Sequence, residues 1–503
     1  MGTVDLQFID VSFRYDSSSE IIFESLNLHF AGGWTGIVGA NGSGKTTVSK
    51  LATGILIPTT GCIARGSGVS AVYCAQETDV PPPDAEDFLY DGDSRAGELR
   101  SILGIGNDWI LRWNTLSHGE RKRFQIGVAL SGDPDILALD EPANHLDGAA
   151  KRMLCEALRT YGGTGLIVSH DRDLLDEVCS RCLFMRPGSA VIRVGNFSEG
   201  EAAEERDDAA RLKAYNDIAD QFRKAERSAR LLKHRESLMR NSLSKRNIAK
   251  HDHDAKTKID RARLTGKDTR GARKVTLMEN RAARLGARAR EVYFEKRETA
   301  GIVFTGERFR RDAILNMTSR EILMGGGRTL SIPDIVIRPE SRIGVTGDNG
   351  AGKSVLVSMI ASSIGVPSER MIYIPQEIGS RMWVDVMTRI SSLGDDMYGA
   401  LLTAVHRLGS EPERIRAAEN PSPGEKRKMM LGLGLLHRPG LIIMDEPTNH
   451  MDIPSIRCLE EALAIYEGAL MVVSHDRRFL SGITTEEWEI TREGERSVLL
   501  VRF

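Results

Sequence analysis

Short apolar runs and helically spaced stretches alternate along most of this chain. Gly36–Gly39 is a brief apolar run that feeds a glycine-rich loop, and Thr46–Thr53 continues with helical spacing. Ile136–Leu139 and Leu166–Val168 are continuous apolar runs of the parallel-strand type, with a helical stretch at about Ala149–Tyr161 between them. Strands alternating with helices in this way predict an α/β domain around a largely parallel sheet. The pattern changes near residue 201. Leu212, Tyr215, Ala219 and Phe222 recur three and four residues apart, as do Val275, Met278, Ala282, Leu285, Ala289 and Val292. These narrow stripes predict two helices, about Ala202–Arg240 and Thr276–Lys296, paired along apolar seams as an antiparallel hairpin. About 30 helical residues would project roughly 45 Å. Asn241–Gly271 breaks the pattern and reads as the tip.

Charge sharpens that division. The chain of 503 residues sums to −2, yet Ala209–Arg290 holds 24 Lys and Arg against 9 Asp and Glu, a net of +15. The tip region carries Lys245, Arg246, Lys250, Lys256, Lys258, Arg261, Arg263, Lys267 and Arg270. Alternating charges would suit a solvated coiled coil; this lopsided charge calls for a polyanionic partner, and phosphate is the simplest. Charge of this kind gives affinity and salt dependence without sequence readout, and does not distinguish RNA from DNA. His251-Asp-His-Asp254 reads as a polar turn rather than a metal site. No apolar run approaches the ~18–20 residues of a spanning helix, and Met1–Phe8 lacks the features of a secretory signal. Six cysteines make no disulfide framework, so a reducing cytoplasm is the expected location; Cys179-Ser-Arg-Cys182 reads as buried thiols rather than a metal or redox motif.

The chain also repeats itself. Gly39-Ala-Asn-Gly-Ser-Gly-Lys-Thr-Thr47 returns as Gly347-Asp-Asn-Gly-Ala-Gly-Lys-Ser-Val355, 308 positions on. Tyr73-Cys-Ala-Gln-Glu77 returns as Tyr373-Ile-Pro-Gln-Glu377. Three further pairs share an offset of 305: Leu116-Ser-His-Gly-Glu-Arg121 with Pro421-Ser-Pro-Gly-Glu-Lys426, Ile136–Asp147 with Leu441–Asp452, and Ile167-Val-Ser-His-Asp171 with Val472-Val-Ser-His-Asp476. Two copies of one domain, 1–200 and 298–503, therefore flank a basic segment at 201–297.

Each copy carries a coherent chemistry. The first motif is a phosphate loop, whose backbone N–H groups and following helix N-terminus converge on β- and γ-phosphates. Gly39, Asn41, Gly42, Gly44, Lys45, Thr46 and Thr47 form it in copy one; Gly347, Asn349, Gly350, Gly352, Lys353, Ser354 and Val355 in copy two. Lys45 and Lys353 supply charge to the phosphates, and Thr46 and Ser354 place a hydroxyl on Mg²⁺. Apolar strands end in Asp140-Glu141 and Asp445-Glu446. The aspartate can hold Mg²⁺ through water, and the glutamate can act as general base on the attacking water. His170 and His475 close further strand-like runs, and in a parallel sheet such carboxyl ends gather along one edge. Gln76 and Gln376 follow strand-like runs and can reach Mg²⁺ and the attacking water.

Phosphate loop, glutamine, Leu-Ser-His-Gly-Glu, Asp-Glu-Pro and histidine, in this order and twice, resemble an ATP-binding cassette. The resemblance covers about 400 residues. It implies head-to-tail pairing: the copy-one site closed by Ser422, Gly424 and Glu425, and the copy-two site closed by Ser117, Gly119 and Glu120. It implies ATP and Mg²⁺ as ligands and ATP hydrolysis as the activity. Glu in both signatures, Asp-Glu-Pro-x-Asn-His-[Leu/Met]-Asp in both strand motifs, the missing membrane domain and the basic linker resemble the ABC-F family of soluble twin-cassette ATPases. That likeness implies action on ribosomes, with the linker near tRNA and rRNA: elongation control, rescue or antibiotic protection. A monomer with internally paired cassettes is expected. The alternative is an ATPase subunit powering a transporter with separate membrane subunits, for which a +15 linker has no use.

The chain departs from the family pattern in places. Ala143 stands where copy two has Thr448, and His118 and Pro423 fill the variable signature position. Tyr15 is the better candidate, ahead of Phe13, to stack on adenine in copy one, whereas Glu321–Ile332 offers no aromatic in copy two. Gln76 to Ser117 spans 41 positions and Gln376 to Ser422 spans 46, leaving no room for the helical arm that many members insert in the first cassette. The strand-like end Ser497–Phe503 suggests no C-terminal extension. The expected architecture is α/β: two P-loop ATP-binding-cassette domains joined by a long basic α-helical hairpin linker.

Overall fold

A computed structural model of the chain describes residues 5–502 apart from 17–18, 20, 187–188, 243–266, 292–303, 305, 411–420 and 495. The chain divides into two compact units, Met1–Gly200 with Glu298–Phe503, and Glu201–Arg297.

In the first half, β1 (Leu6–Arg14), β2 (Ile21–Phe30) and β4 (Thr60–Ala64) form an antiparallel sheet in the order β2-β1-β4. A second sheet runs β5-β6-β7-β3-β8-β9, built from β3 (Gly33–Gly39), β5 (Ala71–Cys74), β6 (Ile136–Asp140), β7 (Thr164–Val168), β8 (Arg181–Arg186) and β9 (Ser189–Val194). All its pairings are parallel except β8 with β9. Every residue of β6 and β7 is buried, as the continuous apolar runs require of strands covered on both faces. The covering helices include α1 (Lys45–Thr53), α2 (Ala85–Tyr90), α3 (Ser94–Leu103), α4 (His118–Ser131), α5 (Gly148–Arg159) and α6 (Arg172–Val178). α2 and α3 occupy much of the interval between Gln76 and Ser117.

The second half repeats the same strand order. β15 (Met371–Ile374), β16 (Leu441–Asp445), β17 (Ala469–Val473), β14 (Arg342–Gly347), β18 (Glu486–Glu493) and β19 (Arg496–Arg502) are adjacent in that sequence. Here β11 (Arg320–Leu323) and β12 (Thr329–Ile332) extend the main sheet, because β12 pairs with β19. β10 (Leu315–Met317) and β13 (Ile335–Ile337) pair separately. The helices are α9 (Lys353–Ser363), α10 (Ser380–Ser391), α11 (Asp395–Arg407), α12 (Pro423–Leu435), α13 (Ile453–Ala464) and α14 (Arg477–Ile483). In both sheets the parallel register brings the ends of the loop strand, the Asp-Glu strand and the histidine strand to one edge.

The second unit contains α7, which spans Phe197–Ser242 and so begins in the first unit, and α8 (Lys267–Glu291). Ala225, Ala229, Val275 and Ala282 are buried on the facing stripes, while Leu212, Tyr215, Ala219, Phe222, Met278, Leu285 and Ala289 are less so. A side chain at Gly286 would come within 3.1 Å of the Phe222 ring, and Lys233 pairs with Glu279 at 3.0 Å. Those two contacts fix an antiparallel register. Alanine and glycine on the seam permit the close approach. Arg223, Lys224, Arg227, Arg273, Lys274, Arg281 and Arg284 carry the basic charge along the two helices.

α8 starts at Lys267, about nine residues before the expected Thr276. The expectation followed the apolar stripe, which begins at Val275, but a helix propagates past its stripe once nucleated. Lys267 and Arg270 therefore stand on the helix and not in the tip. Asn241 and Ser242 likewise belong to α7, and Lys267–Gly271 to α8. Residues 243–266 of the expected tip, His251–Asp254 among them, and Val292 lie outside the described residues.

Candidate active site

Each phosphate loop enters its helix through a glycine in the left-handed region. Gly44 (φ 91°) precedes α1 and Gly352 (φ 108°) precedes α9, a conformation that strains any residue with a Cβ. Lys45 Nζ donates to the carbonyls of Gly39 and Ala40 at 2.9 and 3.0 Å. Lys353 Nζ donates to those of Gly347 and Asp348 at 2.7 and 3.1 Å, and lies 3.1 Å from His475 Nε2. Burial lowers the proton affinity of both ammonium groups, against the pull of the neighbouring carboxylates.

Thr46 Oγ1 donates to Asp140 Oδ2 at 2.7 Å, and the Tyr73 hydroxyl donates to the same oxygen at 3.0 Å. Asp445 is bonded by the Ser354 hydroxyl, and burial raises its carboxyl above the usual range. Its Oδ1 is buried without a hydrogen-bond partner. A buried, unpartnered carboxylate oxygen beside a serine hydroxyl is an oxygen-rich position that suits a hard divalent cation.

Glu141 and Glu446 follow with φ of 47° and 48°, so the chain turns sharply as it leaves each strand. Their N–H groups donate to Val168 and Val473 carbonyls at 2.8 and 2.9 Å, which ties each glutamate to its histidine strand. His170 Nε2 lies 3.4 Å from Glu141 Oε1, and His475 Nε2 lies 3.5 Å from Glu446 Oε1. Burial pushes Glu141 up to about 8 and Glu446 to about 7, partly offset by Lys45 and Lys353. Burial, reinforced by the same lysines, pushes His170 and His475 down to about 3, so both imidazoles are neutral near pH 7.

The Ser-x-Gly-Glu segments open α4 and α12 as capping boxes. Ser117 Oγ accepts from Glu120 N at 3.2 Å, and Glu120 Oε2 accepts from Ser117 N at 2.8 Å; Ser422 and Glu425 repeat this at 3.3 and 2.8 Å. Each glutamate thus holds its serine at the positive end of a helix. A side chain at Gly424 would come within 2.7 Å of the His450 carbonyl, which calls for glycine there, and one at Gly119 would crowd the His145 carbonyl at 3.2 Å.

One cavity of about 1240 Å³ gathers both halves. Gly350, Gly352, Lys353, Ser354, Val355, Gln376, Asp445, Glu446 and His475 line it together with Ser117, Gly119 and Glu120. Asn41, Gln76, Glu141 and His170 line it together with Ser422. Gly39, Gly42, Gly44, Lys45, Thr46, Thr47, Asp140, Gly347, Gly424 and Glu425 belong to the same loops and strand ends but are not part of its wall. Tyr15 is also absent from the wall; its hydroxyl lies 3.0 Å from Thr47 Oγ1 and its ring packs edge-on against Phe13. In copy two the wall instead carries Met324 and Arg328, with Arg328 Nη1 donating to the Gly350 carbonyl at 3.1 Å.

Sequence reasoning missed the residues that join the halves. Asp452 caps α13 through one oxygen and accepts from the Asn41 N–H through the other at 2.7 Å. Asp147 caps α5 and accepts from the Asn349 N–H at 3.2 Å. Arg172, only 7% exposed, bonds Glu460 (3.2 Å from Nη1) and Asp476 (3.1 Å) of the other half. Lys122, also buried, donates to the carbonyls of Ala75 and Asp140, tying the glutamine segment to the Asp-Glu strand. Arg427, its counterpart, bonds the Gln376 and Asn449 carbonyls. An aspartate before a helix announces a cap, but nothing local announces its second oxygen's partner. Cys179 and Cys182 are buried free thiols beside Gly36, and burial pushes the Cys179 thiol well up.

Residues 24–144 and 332–449 match the family described as ABC transporter. The probable ATP-binding protein YbiT of Escherichia coli O157:H7 is 28% identical over 541 residues, covering 94% of each chain. The ribosome protection protein VmlR of Bacillus subtilis (strain 168) is 27% identical over 498 residues, covering 95% of this chain and 86% of its own. Among solved structures, that of archaeal ribosome recycling factor aABCE1 with ribosomal stalk protein aP1 matches with a TM-score of 0.62 at 18% identity, covering 98% of this chain and 90% of that one. That level of identity speaks to the fold alone. No described helix is long and apolar enough to cross a membrane. Two ATP-binding cassettes with repeated loops, Asp-Glu strands and histidines, separated by a long helical insert, make the chain similar over nearly its whole length to these ATP-binding and ribosome protection proteins.

Proposed function

We propose that this chain is a ribosome-associated ATPase in which two nucleotides close the cassettes and so position the basic hairpin near tRNA and rRNA. The observation that carries this reading is the basic surface of a hairpin whose first helix, α7, grows without a break out of the ATPase unit. The relative VmlR is named for ribosome protection, which supports the choice of target.

Within each site the chain's residues divide the work. The loop N–H groups and Lys45 or Lys353 bind the phosphates. Ser117, Gly119 and Glu120 present the α4 N-terminus to the nucleotide on the second loop; Ser422, Gly424 and Glu425 present that of α12 to the first. Thr46, Asp140 and Gln76, or Ser354, Asp445 and Gln376, would hold magnesium. The ion supplies charge that neutralises the phosphates and favours the ionised form of a nearby carboxyl. Glu141 and Glu446 take the proton of the attacking water, and neutral His170 and His475 orient it by hydrogen bonding. Tyr15 supplies the adenine platform of site one, and Met324 with Arg328 faces the base in site two.

The linker half of the proposal is tested by changing Arg273, Lys274, Arg281 and Arg284 together to Gln. Ribosome affinity is expected to fall at least tenfold, and the slope of log affinity against log salt to flatten by roughly 0.7–0.9 for each phosphate that is no longer neutralised. ATP turnover without ribosomes stays as in the parent. An unchanged salt slope would show that these bases do not meet phosphate.

A further inference from the structure

The helices that follow the two histidines meet at positions related by the repeat. Asp173 on α6 and Arg478 on α14 are equivalent, 305 residues apart, and Arg478 Nε bonds Asp173 Oδ1 at 2.9 Å. Two copies packed about a local two-fold bring equivalent positions face to face near the axis. Like charges there would repel; this chain sets aspartate against arginine.

The same guanidinium reaches further. Arg478 Nη1 donates to Ser198 Oγ at 2.9 Å and Nη2 bonds Asp176 of α6. Asp176 accepts in turn from Ser198 N at 2.7 Å and from Ser198 Oγ at 2.6 Å. Ser198 is the second residue of α7. That first turn is otherwise anchored within the first half. Phe197 is 1% exposed and stacks on Phe184, while Asn196 and Glu199 exchange hydrogen bonds of 3.0 and 3.2 Å. Arg478 therefore brings the second half to a turn that the first half already holds. It stands three residues after His475, the ring that lies against Lys353.

We propose that Arg478 is a positioning residue that carries the nucleotide state of the second site, through Ser198 and Asp176, to the first turn of α7 and so to the linker. α14 is a single short helix capped by Asp476, so a shift at His475 moves Arg478 with it. Once Arg478 withdraws, only groups of the first half hold the turn, Asp176 of α6 and the Phe184 ring among them. Charged hydrogen bonds of this kind are made or broken as a unit, which suits a two-state element. The inference rests on nucleotide closing the cassettes, and does not require a ribosome.

The test is amide hydrogen exchange over residues 200–215 without ribosomes, with and without ATP, in protein carrying Glu141→Gln and Glu446→Gln. The ATP-dependent change in exchange is expected to shrink at least about fivefold with either Arg478→Ala or Ser198→Ala added, and to return in part with Arg478→Lys. In a background with both glutamates intact, the same substitutions leave ATP turnover within about twofold of the parent. A change of undiminished size in both variants overturns the proposal, as does a parent that shows no ATP-dependent change. Loss of turnover in step with the exchange response also overturns it, since the junction would then serve site assembly alone. Ribosome binding enters none of these readings, so failure here is separate from failure of the proposed function.

Discussion

Protein carrying Glu141→Gln and Glu446→Gln is expected to bind ATP and to turn it over about 10²–10⁴-fold more slowly than the parent, the usual contribution of a positioned general base. Glutamine keeps the length and shape of the side chain but cannot take a proton. The surroundings favour the test. Each glutamate is nearly buried, held in the left-handed region, and tied through its N–H to the histidine strand, so a near-isosteric change has little to disturb. His170 and His475 stay neutral either way, because burial and the adjacent lysine hold them far below pH 7. Single-turnover hydrolysis with saturating ATP measures the effect. Turnover within about threefold of the parent would remove both glutamates from the role of base.

Arg172→Ala is expected to have the largest effect on how the two cassettes hold together. Its guanidinium is buried, and its partners Glu460 and Asp476 have side chains only 21% and 19% exposed. Removing the arginine leaves two carboxylates facing each other with no cation between them. Breaking a buried pair in this way costs about 3 kcal/mol, somewhat less where water still reaches the survivors. The destabilisation would appear as a lower denaturant midpoint that changes little with salt, since buried pairs are weakly screened. Arg477, the same residue type at the equivalent position of the second copy, is less buried, and Arg477→Ala should change the midpoint little. Equal effects of the two substitutions would contradict this account of the interface.

That contrast shows where a sequence stops being legible. The phosphate loops, Asp-Glu ends and strand-end histidines can be read because their chemistry is local and because it occurs twice. Arg172 and Arg477 cannot be told apart by the same means, since their difference arises from how two unequal copies pack. Asp147 and Asp452 are legible as helix caps but not as bonds between the halves, because only one of their oxygens acts locally. The glutamate in Ser-x-Gly-Glu can be read as a capping-box residue from its spacing alone, independently of any family. Met324 and Arg328 carry no motif, and only the fold brings them to the cavity. In the hairpin the apolar stripe locates the seam but underestimates α8, since the polar start of a helix leaves no stripe.

The central claim is that ATP, held by paired cassettes, commits this protein to the ribosome. The most direct test sediments the Glu141→Gln, Glu446→Gln protein with ribosomes at moderate salt, in ATP and in ADP. Co-sedimentation in ATP and its absence in ADP is the predicted result. Protein that stays in the supernatant with ATP bound would contradict the claim.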